Sequence, residues 1–328
     1  MRPACLLHVG LLIFLVGLLP QSLLGQSIDE AVKSGLQIVQ KAARNYPEHR
    51  QCFSCHHQTL PMHAMAVAAS FGFEVDSTLL EEQDRFTRTS FHSRLDGLRE
   101  GRGIGGAAMT VGYGLWALDL AAMDHDETTS AMVSYLLHSQ EDNGSWDAPS
   151  NRPPLEESDV MATTIAAYYL QQFAPAERRV QVSDALGKAR AWLETAERIS
   201  QEDRNGRLWG LVLLDGDPGD VDAARAEVLA SQREDGGFGQ LDGMPSDAYA
   251  TGQALYVLQA SGVDTNDPAY QRGMQFLLKT QQPDGSWHVK TRSKPIQIYF
   301  DNGDPHGKDQ FISIAATSWA VAALAGAR

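Results

Sequence analysis

Gln281-Gln282-Pro283-Asp284-Gly285-Ser286-Trp287 closes one helix-like stretch of this chain, and Gln140-Glu141-Asp142-Asn143-Gly144-Ser145-Trp146 closes another. A third copy, Gln232-Arg233-Glu234-Asp235-Gly236-Gly237-Phe238, keeps the glutamine and the turn and puts phenylalanine in the tryptophan's place. Recurrence at a period of roughly 45 to 50 residues is the mark of a repeat architecture. Each turn follows a helical stretch, over 131–139, 223–231 and 270–280, and Asn143-Gly144 or Pro283-Asp284-Gly285 ends it, because glycine takes the positive φ that a helix C-terminus requires. After each turn comes a second helix type: Ala162-Thr163-x-x-Ala166-x-x-x-Leu170, Ala250-Thr251-x-x-Ala254-x-x-x-Leu258 and Ala316-Thr317-x-x-Ala320-x-x-x-Leu324.

The unit is therefore helix, glycine turn, helix. A degenerate copy is expected over 181–217, with Trp192 and Trp209, and others between 28 and 123. No alternating Val/Ile/Thr run bounded by hairpin turns occurs, so strands should be few. The expected fold is all-α, an (α/α) toroid of about five to six hairpins with alanine-rich helices inside and more polar ones outside. Gln140, Gln232 and Gln281, with Gly144, Gly285, Trp146, Phe238 and Trp287, read as structural: the amide satisfies helix-terminal backbone groups and the ring stacks over the next turn.

Arg272-Gly273-x-x-Phe276-Leu277-x-x-x-Gln281-x-x-x-Gly285-x-Trp287 resembles a QW motif of the squalene-hopene cyclase and prenyltransferase superfamily, as does Tyr135-Leu136…Gln140…Gly144-x-Trp146. The resemblance covers residues 105–328 and implies a toroid with a central, largely apolar cavity, suited to a small apolar or isoprenoid ligand. Cyclases of that family usually have two domains; this chain has length for one toroid. They protonate an alkene with an Asp-x-Asp-Asp cluster, whereas the matching stretch here reads Glu157-Ser158-Asp159-Val160-Met161. Asp220-Val221-Asp222 lies in an acidic, turn-rich segment and reads as a solvated loop.

Asp159 and Asp247 each stand in Ser-Asp-x-x-Ala-Thr at the start of an inner helix. They read as N-terminal caps or, on the sharper alternative, as the catalytic acids of a cyclase or isomerase. The zinc site of related protein prenyltransferases is absent: no histidine follows Asp309 in Asp309-Gln310-Phe311-Ile312-Ser313, and no cysteine lies beyond Cys55. Tyr249, His306, Asp309 and Trp319 are candidate rim residues of the cavity. Gly101-x-Gly103-x-x-Gly106 matches a dinucleotide fingerprint, but no strand precedes it, so it reads as a connection.

Residues 1–27 read as a cleaved secretory signal, with Arg2, an apolar run from Leu6 to Pro20, and Gly25-Gln26-Ser27 at the cleavage site. The remaining 28–328 form a single domain, exported and periplasmic, with no integral membrane segment. A net charge of −14 argues against nucleic-acid and anionic-membrane partners, which call for clustered Lys and Arg.

Apart from Cys5 in the leader, the only cysteines stand in Cys52-Phe53-Ser54-Cys55-His56-His57-Gln58, within a loop over 45–60. Cys-x-x-Cys-His is the attachment sequence of haem c, with Cys52 and Cys55 as thioethers, His56 on the iron, and His63 or Met62 as second ligand. Alternatives are a disulfide or dithiol, or zinc held by both thiolates and two of His56, His57 and His63. With this motif the chain resembles a group of exported bacterial proteins called squalene-cyclase-like. Three functions follow as expectations: a haem c redox or ligand-binding protein with a redox partner, a terpenoid cyclase, or a scaffold for a partner protein.

Overall fold

The computed structural model describes residues 27–122, 125–149, 152–294 and 298–328, so the leader lies outside it but for its last residue. The helices are α1 (Ile28–His49), α2 (Thr59–Ser70), α3 (Ser77–His92), α4 (Leu95–Arg99), α5 (Ala107–Leu120), α6 (Glu127–Ser139), α7 (Asp159–Phe173), α8 (Arg179–Thr195), α9 (Gln201–Leu213), α10 (Pro218–Ala230), α11 (Ala248–Ala260), α12 (Pro268–Thr280) and α13 (Gln310–Gly326). Among the described residues, strand pairing is limited to the isolated bridges Arg152 with Glu156 and Phe238 with Asp247.

Six helices form a closed inner ring: α2 packs on α5, then α5 on α7, α7 on α9, α9 on α11, α11 on α13, and α13 returns to α2. The outer helices α1, α3, α6, α8, α10 and α12 back onto the seams between them, and short α4 lies on α6. The described residues form an (α/α) toroid of six hairpins. The degenerate unit is the α8–α9 hairpin, joined through residues 196–200 without a glutamine turn.

Inside and outside follow from sequence pattern. In α13 every residue but Phe311 is buried, as its alanine-rich, uncharged sequence demands. Outer helix α1 instead buries one stripe, including Val32, Leu36, Val39 and Ala43, and its start is fixed by a capping box between Ser27 and Glu30. Helices α10 and α12 open with Asp217-Pro218 and Asp267-Pro268, the aspartate accepting a first-turn amide and the proline sitting where no amide partner is needed.

The repeat turn has one physical job at each site. Gln140 Nε2 donates to its own turn at Gly144 O (3.0 Å) and to Ala185 O of the next outer helix (2.9 Å). Gln232 does the same to Gly236 O and Ala269 O, and Gln281 to Gly285 O and Ala31 O. The last bond ties the end of the chain to its beginning and closes the ring. The aromatic residue is pinned from both sides: the indoles of Trp146 and Trp287 donate to Leu136 O and Leu277 O. The backbone N–H groups of Trp146, Phe238 and Trp287 donate to the hydroxyls of Thr163, Thr251 and Thr317. These are the threonines of the Ala-Thr signature, so one side chain couples each turn to its inner helix.

Links that lead from an outer to an inner helix are the long ones, above all 140–158, 231–247 and 281–309. The inner helices therefore all point their N-termini at the end that carries these loops. That end is the mouth of the ring, and the positive ends of its helix dipoles favour acceptor and acidic groups there.

Candidate active site at the mouth of the ring

An open apolar cavity is the expectation for the centre of the ring; at mid-height the structure instead packs rings against one another. Trp116 of α5 meets Trp209 of α9 at 5.2 Å between ring centroids and Trp319 of α13 at 6.1 Å. Tyr256 of α11 joins Trp209 and Trp319 at 5.9 and 5.4 Å, and Tyr169 of α7 stacks on Trp116. His63 of α2 is enclosed by Tyr256, Trp116 and Trp319 at 4.6, 4.8 and 5.3 Å. These side chains form an aromatic floor across the ring, and Trp319 belongs to it rather than to the rim.

Toward the N-terminal halves of the inner helices, buried polar side chains gather in a cluster. Glu202 of α9 is 3% exposed, and its Oε1 accepts from Gln253 Nε2 at 3.1 Å. Gln253 is itself held by Asn205 Nδ2 at 2.8 Å, and Asn205 by Gln201, so the carboxyl is braced by a buried amide chain. Burial lifts the Glu202 pKa to about 8, with Asp203 adding to the rise and hydrogen bonding from Gln253 and Tyr249 opposing it. It is a carboxylic acid at neutral pH. The Tyr249 hydroxyl of α11 lies beside it, and the Tyr113 hydroxyl of α5 is within electrostatic reach of both. The Tyr113 hydroxyl has no hydrogen-bond partner, and both tyrosines are fully buried.

The cysteine motif lies against this cluster, with Cys55 in electrostatic reach of Tyr113 and Tyr249. Gln58 accepts from Ser54 N at 2.8 Å and donates to Gln83, while His57 stacks on Tyr46 at 4.5 Å and bonds Ser54 and Asn302. These residues anchor the loop. Cys55 is 6% exposed, its thiol directed at Glu156 Oε1 (3.8 Å) and at His56 Nδ1 (3.4 Å). Glu156 is ion-paired with Arg152. Burial, then the Glu156 charge, pushes the Cys55 thiol well up, so it rests protonated. Burial and Arg152 hold His56 well below the usual imidazole range, and burial takes His63 down to about 3. Both rings are neutral.

Haem c requires two thiols on one open face beside the histidine that takes the iron. Cys52 is exposed and its Sγ lies 3.6 Å from the Tyr46 hydroxyl, whereas Cys55 turns inward against Glu156, and His56 has Phe311 edge-on at 5.9 Å. The side chains as placed do not fit the macrocycle. His63, the expected second ligand, is walled in by the aromatic floor. Among the described residues no group of three or more His, Cys, Asp or Glu is placed to hold a metal ion.

The other expected site residues are spoken for locally. Ser158, not Asp159, caps α7; Asp159 is exposed and accepts from Ala148 N at 2.7 Å. Asp247 caps α11 through Ala250 N and accepts from Gln240 Nε2, both at 2.9 Å, so each carboxylate oxygen is engaged. His306 bonds Ser286 Oγ at 2.7 Å and stacks on His288, which in turn bonds Asp309 at 2.9 Å. These two residues brace the 281–309 loop. That loop reaches across the mouth, where Arg292 bonds Glu157 and Gln240, and Ser293 bonds Pro153 O.

Sequence reading passed over Glu202, Tyr113 and Glu156. The available signal was positional: Glu202 and Tyr249 occupy the second residue of an inner helix, as does Phe311. A carboxyl at that position of a helix buried on nearly all sides has no route to solvent.

No protein-family model matches the chain, and no curated protein matches it. Solved structures do. A protein from Actinoplanes aligns with TM-score 0.58 at 14% identity, covering 92% of this chain and 99% of its own. The type II terpene cyclase MstE from Scytonema, in complex with geranylgeranyl dihydroxybenzoate, aligns with TM-score 0.55 at 16% identity over 92% and 97%. An unsaturated glucuronyl hydrolase specific for heparin aligns with TM-score 0.59 at 11% identity over 90% and 95%. The chain thus has the α/α-toroid fold that terpene cyclases share with glycosidases, over nearly the whole length of each.

Proposed function

We propose that the chain is an exported small-molecule enzyme that works by proton transfer, with Glu202 as the general acid in the mouth of the ring. One observation carries this reading: a carboxylic acid only 3% exposed, held by Gln253 and Asn205 beside the Tyr249 hydroxyl, near an aromatic floor. A proton donor needs a pKa near working pH, and burial supplies it. The aromatic rings below suit the apolar part of a ligand and would favour positive charge developing over their faces. Toroids of this fold include a terpene cyclase seen with a prenylated aromatic substrate, which makes prenylated aromatic acids and linear polyprenols the first compounds to try. Neither Asp159 nor Asp247 takes the role, since the first is solvated and the second uses both oxygens on the cap and Gln240.

The test is a pH titration followed by difference infrared spectroscopy, with Glu202→Gln as reference. A protonated carboxyl band should persist at pH 7, fall by half near pH 8 and be missing from the variant, and turnover of any active compound should fall through the same pH. A Glu202 ionised at pH 6, or full turnover by Glu202→Gln, refutes the assignment.

The haem reading rests on the Cys-x-x-Cys-His string and the leader alone. Protein from a host competent for haem attachment is expected to be colourless after denaturation. A Soret band that survives denaturation and disappears in Cys52→Ala would reverse this.

A further inference from the structure

The proton-transfer reading leaves the cysteine pair unused. Cys52 is exposed, with its Sγ 3.6 Å from the Tyr46 hydroxyl, whereas Cys55 is buried. Both sulfurs lie within electrostatic reach of that one hydroxyl. The Cys55 thiol is directed at Glu156 Oε1, 3.8 Å away, and Glu156 is ion-paired with Arg152. Burial and the Glu156 charge keep this thiol protonated, which makes it inert toward reagents in solution. His56 Nδ1 is nearer, at 3.4 Å, but burial and the Arg152 cation hold the imidazole pKa at about 3. The carboxylate is therefore the proton acceptor that faces the buried thiol. Cys52 stands between two backbone anchors, Arg50 N to Tyr46 O and Phe53 N to Ser90 Oγ. Joining the sulfurs takes rotation of the Cys55 side chain away from Glu156 and a local shift at Cys52.

We propose that Cys52 and Cys55 form a thiol–disulfide exchange site, in which Cys52 attacks a disulfide from solution and Cys55, giving its proton to Glu156, resolves the product. The Cys52 thiolate attacks one sulfur of the incoming disulfide; a mixed disulfide forms, and a thiolate leaves and takes a proton from water. Cys55 then loses its proton to Glu156, and its sulfur attacks Cys52 Sγ. The Cys52–Cys55 bond forms, the second thiolate leaves and is protonated by water, and Glu156 releases its proton to water. Two protein thiols are oxidised, and one disulfide is reduced to two thiols. Excess thiol drives the same steps backwards. Burial sets the order of events: solution reaches Cys52 first, and only a Cys52 that already carries a disulfide presents Cys55 with a sulfur to attack. This activity is separate from the acid role of Glu202 and stands without it.

For the test, the full chain is reduced, placed in buffers of set glutathione to glutathione disulfide ratio, alkylated and measured by intact mass. One internal disulfide between Cys52 and Cys55 should form, follow a two-electron dependence on the ratio and reverse with excess thiol. Cys55→Ser should stop with one glutathione on Cys52. Cys52→Ser should take none on Cys55 in the time that oxidises the parent completely. Glu156→Gln should acquire glutathione on Cys52 at the parent rate and resolve it at least about tenfold more slowly, a split that a merely loosened fold does not produce. The serine variants decide the case even if Glu156→Gln unfolds. Insulin, offered in place of glutathione disulfide, separates the sources: exchange with both places protein disulfides among the substrates, and exchange with glutathione disulfide alone restricts them to small molecules. No internal bond in glutathione disulfide alone, glutathione on Cys55 as fast as on Cys52, or resolution by folded Glu156→Gln at the parent rate overturns the assignment.

Discussion

Replacing Gly285 by alanine should open the ring. Gly285 has φ +93°, and a Cβ there would lie 2.7 Å from Ser34 Cβ and 2.8 Å from the Ser34 backbone C and O. The left-handed conformation alone costs an alanine about 1–2 kcal/mol. The clash is with backbone of α1, which cannot rotate away, and adds about 1–3 kcal/mol or more. The turn that must shift is the one whose Gln281 holds Ala31 O (2.9 Å) and Ser34 Oγ (3.2 Å), the seam between the last repeat and the first helix. A loss of roughly 3–5 kcal/mol is expected in urea unfolding, enough to leave many domains unfolded. Gly262 provides the control: its φ is +92°, and a Cβ would meet nothing within 4 Å. Gly262→Ala should show the conformational cost alone. Equal stability of the two variants would mean that the seam does not hold the ring.

Glu202→Gln should change the way stability depends on pH. Folding raises the Glu202 pKa from 4.5 to about 8, so the folded state holds a proton that the unfolded chain releases. The contribution is fully present below pH 4.5, declines as pH rises and is gone above about 8. Glutamine keeps an oxygen for Gln253 and cannot ionise. The variant should therefore be close to the parent in stability at pH 4.5 and exceed it by several kcal/mol, on the order of 3–5, at pH 9. Buried histidines give the opposite slope. His56, His57 and His63 are held below the ordinary imidazole value of 6.5, so their contribution is present above that pH and falls away as the medium is acidified. Parent and variant should share this acid limb, and only the alkaline limb should differ. Parallel curves from pH 5 to 9 would show that Glu202 titrates as an exposed carboxylate.

The ring was legible because its repeats are local. Glutamine, glycine, an aromatic residue and a following Ala-Thr each act within one hairpin, so the three copies at 140–163, 232–251 and 281–317 display the rule in sequence. The buried polar cluster was not legible, because its parts meet only after the ring closes. Glu202 lies in the hairpin that lacks the repeat turn, where Ser200-x-x-Asp203 reads as an ordinary capping box. Tyr113 sits in a helix so uniformly apolar that nothing marks its hydroxyl as unpaired. Cys55 owes its inward direction to Glu156, a partner 101 residues away, and the spacing of the cysteine motif carries no trace of that contact. The aromatic floor failed as a cavity for the same reason: Trp116, Trp209 and Trp319 each look like core on their own helix, and only the ring brings them together.

Closure also sets a schedule. The bond from Gln281 to Ala31 spans 250 residues, and α13 packs on both α1 and α2. During synthesis the first hairpin must wait, with one flank of α2 uncovered, until the final helix has been made. Long-range closure of this kind comes late in folding and leaves apolar surface exposed meanwhile. A chain that completes itself last-to-first gains its closed ring in a single concluding step.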